Sequence, residues 1–158
     1  MEHKLFIVDD DDGMRAALAR MLRRAGFLVE EFPSAARFLE AWRGDEPGVL
    51  LLDLWMPGTD GLALLRLLAG RGVRLPVIMI SGGANVASAV AAMRLGAVDV
   101  LEKPFEEDVL LARIGLAIRR DREVRAQAAR QRAAERRLDG LTATERRVLK
   151  LLSAGHST

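Results

Sequence analysis

Apolar residues fall in short blocks separated by polar, glycine-marked breaks, and the blocks alternate between two periods. "LFIV" (5–8) is continuous and short, as a strand buried on both faces requires. "GMRAALARMLRRAG" (13–26) instead places apolar residues at 14, 17, 18, 21 and 22, one face of a helix that stops at Gly26. The alternation then repeats. "FLVEEF" (27–32), "VLLLD" (49–53), "PVIMIS" (76–81) and "VDVLE" (98–102) read as strands. "SAARFLEAW" (34–42), capped by Ser34, "GLALLRLLAG" (61–70) and "ANVASAVAAMRLG" (84–96) read as helices. Five strands joined to helices by short links predict an α/β fold, a doubly wound parallel sheet with helices on both faces.

After Pro104 the pattern changes. "FEEDVLLARIGLAIRRDREVRAQAARQRAAERRL" (105–138) has no proline and one glycine, and reads as a long helix that leaves the domain near Arg119. A seven-residue spacing (Leu110, Ala117, Val124, Gln131, Leu138) allows helix pairing, but its polar and small members argue against a strong coiled coil. In "LTATERRVLKLLSAGHST" Thr142 and Glu145 form a capping box for a helix that runs to about Ala154, ended by Gly155.

Charge sharpens this division. Residues 1–104 carry 12 basic and 14 acidic side chains, whereas residues 105–158 carry 12 basic and 8 acidic. The basic tail fits either a surface that faces nucleic acid or an ordinary solvated arginine-rich helix. The absence of cysteine excludes disulfides, thiolate zinc sites and cysteine nucleophiles. No apolar stretch approaches the roughly 18 residues of a membrane span, and the N-terminus lacks the pattern of a signal peptide. A cytoplasmic protein with no membrane contact is expected.

In parallel sheets of this kind ligands bind beyond the carboxyl ends of the strands. The residues at those ends are Asp9 and Asp10, Asp53, Ser81 and Lys103. Asp53 closes the apolar run "VLLLD", where an unpaired charge is costly unless it titrates, finds a partner or holds a metal. Three acids in one cleft call for a cation, and carboxylates without thiolates suit Mg²⁺. A lysine and a hydroxyl opposite can receive the remaining oxygens of a phosphoryl group. Lys103 is one of 3 lysines against 21 arginines, which hints that a compact point charge is wanted there. The chemistry these groups suggest is phosphoryl transfer. Asp11 and Asp12 read as helix caps.

The ordered set "FIVDDD", "LLLDLWMPGTDG", "VIMISGGA" and "VLEKPF" resembles the receiver domain of two-component response regulators over about residues 3–118. The resemblance implies a flavodoxin-like sheet of strand order 2-1-3-4-5. It implies that Asp53 accepts a phosphoryl group from a phosphohistidine on a sensor histidine kinase. Asp10, Asp53 and the Trp55 carbonyl would bind Mg²⁺, with Asp9 helping directly or through water. Ser81 would hydrogen-bond the phosphoryl group and Lys103 would pair with it. Met56-Pro57-Gly58 and Gly61 would shape the loop beside Asp53, and the Lys103–Pro104 peptide would be cis. Such a chain catalyses only its own phosphorylation and dephosphorylation. Two departures stand out. Val100 occupies the position where receivers often carry an aromatic switch residue, and Trp55 and Gly83 offer no group to orient attacking water. Slow self-dephosphorylation, on a scale of hours, is the expectation.

Residues 139–158 resemble the opening of a LuxR-type helix-turn-helix, as in FixJ/NarL-group transcription regulators, and cover only its first helix and the cap of the next. The domains expected are therefore a receiver (1–118), an arginine-rich helical linker (119–138) and an incomplete helix-turn-helix (139–158). DNA would be read only by a full-length form with a recognition helix. A homodimer is expected through the fourth helix, fifth strand and fifth helix, or through the linker. Two other classes compete. "FIVDDDDG" offers the Asp9-x-Asp11 start of a haloacid-dehalogenase-type phosphatase, which leaves Asp53 without a role; a receiver-like module that never takes phosphate is the third reading.

Overall fold

The computed structural model describes residues 3–56, 60–83, 86–140 and 143–155. Five parallel strands, β1 (Lys4–Val8), β2 (Val29–Phe32), β3 (Gly48–Asp53), β4 (Val77–Ser81) and β5 (Asp99–Glu102), pair in the order β2-β1-β3-β4-β5. Between them run α1 (Asp12–Arg24), α2 (Ala35–Ala41), α3 (Gly61–Gly70) and α4 (Val86–Arg94); α5 (Glu107–Asp139) and α6 (Ala143–Gly155) follow. This is the doubly wound α/β sheet that the alternating pattern predicts, with the long C-terminal helix.

Period two along the strands builds two cores. Phe6, Val8, Leu50, Leu52, Val77 and Met79 face Phe38 of α2, Leu64 and Leu68 of α3 and Ala92 of α4. Leu5, Ile7, Val49, Leu51, Ile78 and Ile80 face Leu18 and Leu22 of α1 and Leu110, Ile114 and Ala117 of α5. Every residue of β3 and β4 is buried, which is why these strands read as unbroken apolar runs. The interior strand β1 is pinned by register on both sides, with Val8 opposite Phe32 and Leu52. All five strands therefore end on the same rim.

The helix boundaries follow local chemistry. Asp11 caps α1 by accepting the Met14 amide at 3.0 Å, and Ser34 caps α2 by accepting the Arg37 amide at 3.2 Å. Gly26 ends the α1 turn at φ 98°, a left-handed conformation that glycine adopts without strain. Phe27 and Leu28 lie between that turn and the strand, so β2 starts two residues later than the sequence pattern predicts. The long helix starts at Glu107 rather than 105, with Glu107 and Asp108 in its first turn, where the helix dipole favours acids. The expected cap Thr142 and loop residues Pro57 and Gly58 lie outside the described residues.

The chain divides into two units, Met1–Asp121 and Arg122–Thr158. In the first, α5 presents Leu110, Ile114, Ala117 and Asp121 to the interior at spacings of four, three and four. Asp121 meets His3 there, Nε2 to Oδ2 at 2.7 Å, with both side chains buried. In the second unit the described side chains of α6 are all exposed, Val148, Leu149, Leu151 and Leu152 among them.

Candidate phosphoryl-transfer site

Three carboxylates converge on the rim. Asp9 follows β1, Asp10 begins the turn into α1, and Asp53 ends β3; each offers an oxygen within 4.8 Å of the others. Asp9 and Asp53 are buried and Asp10 is exposed, so the cluster opens to solvent on one side. Lys103, just past β5, brings Nζ to 3.8 Å from Asp9 Oδ2 and 4.0 Å from Asp53 Oδ1. Its own amide donates to the Ser81 carbonyl at 2.7 Å, which extends the β4–β5 pairing to the rim. The Lys103–Pro104 peptide is cis.

Asp53 is the electrostatically frustrated member. Burial pushes its carboxyl up from 3.8 to about 6, and the negative charge of Asp9 adds to the rise. Lys103 and a backbone hydrogen bond from Trp55 pull it back, and Asp10 pushes it up slightly. One lysine does not balance three acids. Acceptor-only carboxylates in a chain without cysteine fit a hard divalent cation, and Mg²⁺ characteristically uses few carboxylates and keeps waters.

Gly61 explains how α3 comes so close to Asp53. A Cβ on Gly61 would lie 2.3 Å from the Asp53 carbonyl oxygen and 3.0 Å from Leu54 Cα, so any side chain would displace the end of β3. The Gly61 amide donates to the Leu54 carbonyl at 3.0 Å and fixes that approach. Trp55, two residues past Asp53, is 53 % exposed.

Ser81 is buried at the end of β4, but its hydroxyl is turned to its own loop. It donates to the Gly83 carbonyl at 2.7 Å. A phosphoryl group on Asp53 would have to compete with that bond. Val100 is half-buried and packs against the core cluster, an aliphatic side chain at the position expected of a switch residue.

Sequence reasoning missed one group beside the acids. Arg15, on the first turn of α1, donates to the Asp9 carbonyl at 2.6 Å and pairs with Asp12 at 2.5 Å. It is one of 21 arginines, on a helix that carries several, so nothing in the pattern singles it out.

A parallel sheet with this strand order, carrying acids, a hydroxyl and a lysine on its carboxyl rim, defines a receiver. Residues 5–115 match the family model of the response regulator receiver domain. The chain belongs to that family. It is 40% identical over 153 residues to the transcriptional regulatory protein FixJ of Bradyrhizobium diazoefficiens, an alignment that covers 97% of this chain and 75% of that one. It is 36% identical over 152 residues to the response regulator protein TodT of Pseudomonas putida, covering 96% of this chain and 67% of that protein. Among solved structures, the response regulator StyR superposes with a TM-score of 0.89 at 37% identity, covering 98% of this chain and 78% of that one. Full-length FixJ from B. japonicum superposes with a TM-score of 0.74 at 39% identity, covering 99% of this chain and 77% of that one. The family match leaves the phosphatase alternative without support. Among the described residues no helix is long and apolar enough to cross a membrane.

Proposed function

We propose that this chain is the phosphoacceptor of a two-component system, taking a phosphoryl group from the phosphohistidine of a sensor histidine kinase onto Asp53. The observation that carries the reading is the burial of Asp53 beside Asp9, Asp10 and Lys103 at the end of a buried strand. An Asp53 carboxylate oxygen attacks phosphorus while the P–N bond of the donor breaks; the electron pair goes to the imidazole nitrogen, which takes up a proton. Asp9, Asp10, Asp53 and the Trp55 carbonyl are the ligands proposed for Mg²⁺. When bound, Mg²⁺ would neutralise charge on the acids and on the phosphoryl oxygens. Lys103 stands within 4.0 Å of Asp53 and is placed to pair with the phosphoryl oxygens. Ser81 would exchange its bond to Gly83 for one to the phosphoryl group. The chain performs no turnover beyond its own phosphorylation and dephosphorylation. Dephosphorylation is slow, with a half-life of hours, because neither Trp55 nor Gly83 offers a group to orient water.

The output is transcriptional, as the name of the FixJ relative says of that protein. Phosphorylation biases homodimer pairing through the face of α4, β5 and α5 or through the linker. Val90 and Met93 are exposed on α4 beside Val100 and Asp99 of β5, which supports the first of these. Residues 139–158 are read as the start of a LuxR-type helix-turn-helix, so operator reading belongs to a form that continues through a recognition helix. Work in the cytoplasm follows from that role.

Intact-mass spectrometry after incubation with Mg²⁺ and acetyl phosphate tests the assignment. One added phosphoryl group in wild type and none in Asp53→Asn is the expected result. Phosphorylation of neither, with no binding of beryllofluoride, leaves a receiver-shaped binding module. Phosphorylation of both moves the nucleophile to Asp9. Light scattering that finds a monomer before and after phosphorylation removes the dimer.

A further inference from the structure

We propose that Arg15 is a positioning residue that sets the aim of the two acids following β1. The inference rests on the reading of the carboxylate cluster as a cation site. Asp9 is held by its backbone on both sides. Its amide donates to the Phe32 carbonyl at 3.2 Å, and its own carbonyl accepts from the Arg15 guanidinium at 2.6 Å. That carbonyl shares one planar peptide unit with the Asp10 amide. A guanidinium that holds it restricts the two dihedrals on either side of the unit, and these decide where both side chains point.

The clamp is itself anchored. Arg15 has only 14% of its side chain exposed and reaches Asp12 at 2.5 Å and Glu31, on β2, at 3.8 Å. One planar fork thus joins the end of β1, the start of α1 and the neighbouring strand. An ammonium is a point charge on a flexible stem and offers no such fork. The amide of Asp11 completes the turn by donating to Asp9 Oδ1 at 2.9 Å, which leaves Oδ2 toward Lys103.

Charge and geometry predict opposite signs for removal of this group. Coulomb's law says that loss of a cation beside three carboxylates tightens binding of Mg²⁺. Loss of a clamp that aims the ligands weakens it, by about tenfold or more for groups that orient metal ligands.

The test is titration of the metal-free chain with Mg²⁺ alone, followed by tryptophan fluorescence with Trp55 two residues past Asp53. Arg15→Met is expected to bind Mg²⁺ about tenfold more weakly than wild type. At saturating Mg²⁺ it should still reach the wild-type extent of acetyl phosphate labelling, because no group that touches the phosphoryl oxygens has changed. Affinity equal to or tighter than wild type overturns the proposal. Arg15→Lys keeps the charge without the fork and is expected to stay weaker than wild type; full recovery overturns the clamp in favour of bare charge. If Arg15→Met does not fold, Arg15→Lys decides alone. Failure of wild type itself to bind millimolar Mg²⁺ overturns the cation-site reading and this inference with it, whereas normal wild-type binding with unchanged variants overturns only the clamp.

Discussion

Two carboxylates are buried at opposite ends of the sheet, and they are kept in different company. Asp121, on the interior face of α5, meets the His3 ring at 2.7 Å near the start of β1. Asp53, at the end of β3, faces two further acids and a lysine no nearer than 4.0 Å. The first end offers a complementary group; the second gathers like charge. Folding alone would select arrangements of the first kind, since an unpaired buried charge costs stability. The second kind survives where something that binds later supplies the missing charge, and strongly perturbed acids mark such places. Burial alone therefore says little about what a polar residue does. Its partners say more.

The largest contrast expected between the two ends is chemical. Asp53→Asn should abolish labelling by acetyl phosphate, while Asp121→Asn should leave it at the wild-type extent; equal loss in both would show that labelling tracks fold integrity rather than the site. Stability comes next. Asp121→Ala removes the buried hydrogen-bond partner of the His3 ring and should cost about 1–3 kcal/mol in urea unfolding.

Asp53→Asn should do the reverse in metal-free buffer. With the folded carboxyl at about 6 and the unfolded one near 3.8, the wild-type fold holds the proton more tightly than the unfolded chain between these values. Wild-type stability should therefore fall as pH rises from 4 to 6, and the advantage of Asp53→Asn should grow across that window to roughly 1–3 kcal/mol above it. A flat difference between the two proteins from pH 4 to 7 would remove the frustration inferred for Asp53. The smallest effect belongs to Ser81→Ala, which loses the bond to Gly83 and should cost about 1 kcal/mol or less, with thermal unfolding as the measure.

The elements were legible where periodicity was strong. β3 and β4 are buried throughout, and their short β-branched and leucine-rich runs between breaks read as interior strands. Asp9, Asp53 and Ser81 were legible because each directly ends an apolar run, and Asp10 and Lys103 lie one residue further on. Strand order was not legible from pattern and came with the family resemblance. The His3–Asp121 contact was out of reach for another reason. Asp121 lies in "RRDREVR", which reads as a solvated charge run, and only the phase of α5 against the sheet turns that one residue inward. The direction of the Ser81 hydroxyl and the role of Arg15 depend on rotamers set by tertiary contacts, which no one-dimensional pattern encodes.

The run "DDDD" at 9–12 shows the same limit from the other side. By composition it is one letter written four times. The fold assigns four separate jobs to it: Asp9 faces Lys103, Asp10 joins the acid cluster from the solvent side, Asp11 caps α1 and Asp12 holds Arg15. Insertion or deletion of one aspartate here would leave the composition almost unchanged. Such a slip would preserve the look of an acidic loop while moving Arg15 and the α1 cap one step against the fixed end of β1. A change of one residue in length is therefore costly here, although the text is repetitive.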